Sequence, residues 1–100
     1  MPQLWTTVFN HIQYHIFMTL AEITKLMLDS DYRNRFRAEY YHVKLRLSNL
    51  KAVLKLWDAN KLDFTPDCPR SIYTIQVRAM EDYLAVLEAR AKIENVNIED

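Results

Sequence analysis

Glycine is missing altogether from the 100-residue chain. Average usage is about 7%, so turns needing positive φ must be few or made by other residues. A dinucleotide fingerprint and a P-loop are both excluded, because each needs glycine where backbone meets phosphate. Cysteine is nearly absent too. Cys68 stands alone, which rules out an intrachain disulfide and a cysteine-based zinc site. There is no uninterrupted apolar run of about 20 residues, since Glu22 and Lys25 break the first hydrophobic stretch. A basic region of the secretory type is also lacking at the start, and a cytoplasmic location is expected. Net charge is zero, with 13 basic and 13 acidic residues, so bulk charge selects no polyanionic partner.

What is present is hydrophobic residue, half the chain, laid out with helical spacing. Leu4, Val8, Ile12, Ile16, Leu20, Ile23 and Met27 recur in steps of three and four and predict a first helix over about 3–28. Asp29-Ser30-Asp31 supplies a stop followed by an N-cap. Phe36, Tyr40, Val43, Leu47, Leu50, Leu54 and Trp57 then form an a/d-like seam and predict a second helix over about 32–59. Asn60 is the residue there suited to a left-handed C-cap. A proline-containing linker over 60–70 leads to a third helix over about 71–95, with its seam at Tyr73, Val77, Met80, Leu84, Leu87 and Ala91. Residues 95–100 read as a frayed tail. The expectation is one all-α domain of three long helices, the second and third forming an antiparallel hairpin.

The second helix carries a further apolar stripe, Tyr41, Leu45, Ala52 and Leu56, roughly opposite the first. Such a helix sits between two neighbours, or offers one face to a partner or a second copy. Charge is partitioned as well. Residues 32–61 carry eight basic and two acidic residues, whereas 63–100 carry four basic and eight acidic. Arg33, Arg37, Lys44, Lys51 and Lys55 fall within about 40° on a helical wheel. This basic stripe answers acids on the third helix such as Glu81, Asp82 and Glu88, or it binds an acidic or phosphate-bearing partner. Arg33, Arg37, Tyr41, Lys44, Leu45, Lys51, Lys55 and Leu56 are therefore the candidate partner-binding residues. In the linker, Pro66 and Pro69 are candidates for a cis bond that could attract a prolyl isomerase.

Catalytic patterns are weak. His11 and His15 stand at i and i+4, but the general-base glutamate of zinc-binding helices is absent and only Glu22 offers a third ligand. Ser30, Ser48 and Ser71 lack an evident base and a glycine-built oxyanion loop. Neither enzyme activity, a metal nor a cofactor is expected.

Glu39, Val43, Leu47, Leu50 and Leu54, then Pro69 and the run from Gln76 to Arg90 (Gln76-Val77-Arg78-Ala79-Met80-Glu81-Asp82-Tyr83 at its start), resemble a family of small helical proteins of phages and prophages, including crAss-like phages. More loosely, the size and helical build are similar to lambdoid-phage accessory proteins that modify the RecBCD nuclease. These resemblances imply a phage accessory protein in the host cytoplasm that binds and disables a host enzyme, one that processes DNA or serves defence. A sponge for phosphate-bearing signalling nucleotides is the alternative. Direct nucleic-acid binding is weaker, because the acidic third helix would oppose it.

Overall fold

The computed structural model describes residues 18–98. Three helices follow one another, α1 (Leu20–Met27), α2 (Tyr32–Asp58) and α3 (Arg70–Glu94), with no strand among the described residues. The domain is all-α, as the periodicity predicts. Pairs facing each other across the hairpin run in opposite directions: Tyr32 meets Glu94, Lys51 meets Glu81, and Asp58 meets Arg70. The second and third helices are therefore antiparallel. Both α1 and α3 pack on α2, which explains the two apolar stripes of that helix.

The expected first helix is interrupted at Met18 and Thr19. Residues 3–17 of its range lie outside the described residues, and α1 begins only at Leu20. Thr19 is extended, at φ −69° and ψ 158°, and caps the helix. Its hydroxyl accepts from the Glu22 amide at 3.2 Å while the Glu22 carboxylate accepts from the Thr19 hydroxyl at 2.9 Å and its amide at 3.4 Å. This reciprocal capping box satisfies helix-end donors and starts a helix where hydrophobic spacing alone would continue one. The turn into α2 follows the expected chemistry. Asp31 accepts from the Arg33 amide at 2.9 Å, and Asp29 accepts from the Asp31 amide at 2.7 Å and the Asn34 side chain at 3.1 Å.

Both long helices end on asparagine. Asn60 and Asn95 are the described non-glycine residues with positive φ, 59° and 61°. Beyond each, the next amide reaches back to close the end: Lys61 to the Leu56 carbonyl at 2.9 Å, Val96 to the Ala91 carbonyl at 2.8 Å. These are Schellman closures, and asparagine makes them because its short polar side chain tolerates the left-handed region.

The core comprises Ile23 from α1, Phe36, Ala38, Tyr40, Tyr41, Leu45 and Leu47 from α2, and Leu84, Leu87 and Ala91 from α3. Of the predicted hairpin seam, Leu47, Leu54 and Leu84 are buried, whereas Leu50, Val77 and Met80 are half-buried. Two expectations need correction. Residues 96–98 are not frayed: Val96 is buried and the Tyr41 hydroxyl donates to the Ile98 carbonyl at 2.7 Å. The linker holds no cis bond either; Pro66 and Pro69 are both trans. Direction is reversed instead by Asn60 and by a two-pronged ion pair in which Arg70 donates to Asp58 at 3.0 and 3.1 Å, joining the end of α2 to the start of α3. That pair holds the Asp58 carboxyl below its ordinary pKa, because the Arg70 guanidinium hydrogen-bonds it.

Candidate functional site

The closed end of α3 is the most elaborately built region of the surface. Tyr32 donates its hydroxyl to Glu94 at 2.8 Å and accepts from Arg90 at 2.8 Å. Arg90 also donates to Glu94 at 2.9 Å and lies 4.9 Å over the Phe36 ring. Glu94 is therefore held below the ordinary carboxylate range, first by the Tyr32 hydroxyl and then by Arg90. Tyr32 is raised by the same contact with Glu94. Arg33 donates to the Asn95 carbonyl at 3.2 Å. These bonds fix where the chain goes after α3 and lay residues 95–98 back along α2.

A cleft of about 520 Å³ opens between that returning segment and α2. Tyr40 and Lys44 line it from α2, Glu88 and Lys92 from α3, and Asn95 and Asn97 from the end of the chain. Its volume falls within the range of small-molecule sites. Two ammonium groups outnumber the one carboxylate, two amides add donors and acceptors, and the largely buried Tyr40 underlies them. Lys44 lies 5.4 Å over the Tyr40 ring, so the cation and the aromatic surface are held together.

The basic stripe divides among four places. Lys44 belongs to this cleft. Lys51 answers Glu81 at 3.0 Å, an ion pair to the third helix of the kind the stripe predicts, and both partners are about half exposed. Together with Lys55, Asp58 and Arg70 it borders a shallower groove of about 350 Å³. Arg33 secures the end of α3. Arg37 lies 6.0 Å over the Tyr41 ring, and its buried Nε has no hydrogen-bond partner among the described residues.

The apolar half of the predicted binding face is placed differently. Tyr41 is only 1% exposed and Leu45 is also buried, so neither presents a free surface; they pack in the core beneath the cleft and beside α1. Leu56 is half-buried. Hence Lys44 is the predicted residue that lines the cleft, and Lys92, Asn95 and Asn97 join it from a segment with no recognisable motif. Of the weaker catalytic candidates, His11 and His15 lie outside the described residues, and Glu22 is engaged in the capping box. Cys68 is an exposed free thiol. Among the described residues no helix is long and apolar enough to cross a membrane.

Fold and surface together define, among the described residues, a small all-α hairpin with a short helix before it and a polar cleft. The chain belongs to the Sequestin family, whose model matches residues 30–93, the whole of the α2–α3 hairpin up to its last turn. No curated protein and no solved structure matches it.

Proposed function

We propose that this protein is a non-catalytic sequestering protein whose cargo is a small phosphate-bearing nucleotide, held in the cleft between α2 and the segment after α3. The observation that carries the reading is the meeting of Lys44, Lys92, Asn95, Asn97 and the Tyr40 ring around one cavity of ligand size. Lysines and amides recognise phosphate and the polar edges of a base. The name of the family points to sequestration, and retention without turnover needs no nucleophile or paired general acid and base. A host protein such as RecBCD was the leading expectation from sequence. The family match bears on neither RecBCD nor a phage source, whereas a concave site of this size favours a small ligand over a protein surface.

Titration calorimetry against nucleoside mono-, di- and triphosphates, cyclic mono- and dinucleotides and inorganic phosphate tests the proposal. Saturable binding of at least one nucleotide, weakened at least tenfold by Lys44→Glu with Lys92→Glu, is expected, with the ligand recovered chemically unchanged. A flat response across the panel would remove the reading. Conversion of the ligand would replace sequestration with catalysis.

A further inference from the structure

The side of α3 turned away from the core carries an apolar stripe that no other described residue covers. Ile72, Ile75, Tyr83 and Val86 are each at least two-fifths exposed, and Ala79 between them is exposed as well; Ile93, 84% exposed, lies in the same sector two turns beyond Val86 and outside this stretch. On a helical wheel these five lie within about 80° of one another and are centred about 140° round from Val77, Leu84 and Ala91, which face α2. Isolated surface isoleucines need no explanation, but five aligned apolar side chains over about 21 Å of helix do.

We infer that this stripe is the contact face of a symmetric dimer, in which α3 of one chain packs antiparallel on α3 of a second copy. Two features of the stripe select a second copy. The first is its spacing, which runs three, four, four, three and reads the same in both directions about Ala79. Reversing the helix about Ala79 sets Ile72 against Val86 of the other chain and Ile75 against Tyr83. The two Ala79 methyls meet on the two-fold axis, where a small side chain lets the backbones approach. A two-fold interface must be complementary to itself, and this pattern is.

The second feature is charge. Arg78 and Asp82 lie on one flank of the stripe, both exposed, and neither takes part in an ion pair among the described residues. In the antiparallel register each flank faces its own copy. Arg78 of one chain and Asp82 of the other then stand about two residues, or 3 Å, out of level along the axis. Long side chains bridge that offset, and the symmetry makes the pair twice. The face is remote from the nucleotide cleft, which Lys44 and Lys92 line, so the dimer stands or falls independently of the proposed cargo.

A seam of five side chains per protomer is at the small end of specific interfaces, so association in the micromolar range is expected. Sedimentation equilibrium of the full chain from about 1 to 500 µM, with helicity followed by circular dichroism, tests it. A monomer–dimer equilibrium is expected for the wild type. Ala79→Glu, which sets two like charges on the axis, should give a monomer with unchanged helicity. Arg78→Glu alone should weaken the dimer about tenfold or more, and adding Asp82→Arg should restore it, because the swapped pair is again complementary. A wild type monomeric throughout would overturn the inference, the stripe then being covered by residues 1–17 or by another protein. Dimerisation unaffected by Ala79→Glu, or failure of the double swap to restore it, would equally overturn it by placing the contact elsewhere.

Discussion

Asn60 and Asn95 show what single residues do in a chain without glycine. Each adopts the left-handed conformation that closes a long helix, and Asn95 also turns residues 96–98 toward α2 to form the wall of the cleft. Replacing either by alanine should cost about 1–2 kcal/mol, the penalty of a Cβ-bearing residue without the local side-chain hydrogen bond. Glycine at the same positions should be nearly neutral. Urea unfolding of the four variants checks this, and an alanine as stable as glycine would show that the conformation is not strained. The lowered carboxylates make a second residue-scale prediction. Asp29 is held below its ordinary value by the Asp31 amide and the Asn34 side chain, Asp58 by Arg70, and Glu94 by Tyr32 and Arg90. A carboxyl more acidic in the folded chain binds fewer protons there than when unfolded. Its stabilisation is complete above the unfolded value and is lost as pH falls through the folded one. The melting temperature should therefore be level from pH 7 to about 5 and decline below about pH 4.5, where free Asp and Glu begin to protonate. Glu94→Gln should make that decline shallower.

At the scale of elements, the hairpin and the stop near residue 28 were legible, and the helix start at Leu20 was not. The second and third helices stand within one residue of their predicted bounds, 32–58 and 70–94 against 32–59 and 71–95. Long unbroken seams with an asparagine stop leave little competition among conformations. In the first segment the Thr-x-x-Glu signal at Thr19 and Glu22 lay within a hydrophobic period that continues across it, and the local capping bonds prevail over the period. Thr19→Ala should cost about 0.5–2 kcal/mol in α1, read as faster amide exchange over Leu20–Met27. Equal exchange in the two proteins would show that the cap is incidental. The core also ranks its own leucines. Leu87 has no exposed surface and should lose about 2–5 kcal/mol on replacement by alanine. Leu50, half-buried beside a separate groove that Leu20, Tyr73 and Met80 also line, should lose less. Denaturant midpoints of the pair decide, and an equal or greater loss at Leu50 would mean that the groove is closed in solution.

At the scale of the described molecule, the two ends of the α2–α3 hairpin serve different purposes. At the linker end the Arg70–Asp58 pair and the Trp57–Tyr73 ring contact, with centroids 5.7 Å apart, hold the two helices together. At the other end the chain returns to make the cleft. Sequence spacing revealed Lys44 as part of an aligned basic stripe. It could not reveal Lys92, Asn95 and Asn97, because these reach Lys44 only through the hairpin and the turn at Asn95, some fifty residues along the chain. Tyr41 and Leu45 were misassigned to an outer face because periodicity shows that a stripe is apolar, not whether another helix covers it. Here α1 and the segment after α3 do so. The central claim is that this cleft holds a phosphate-bearing nucleotide without transforming it. The most direct test is an amide-resolved NMR titration of the full chain with the tightest nucleotide of the calorimetric panel. The account predicts saturable shifts centred on Tyr40, Lys44, Lys92, Asn95 and Asn97, with the ligand's own resonances unchanged after release. Shifts centred on the groove around Lys51 and Lys55, or on the Ile72–Val86 stripe, would contradict it.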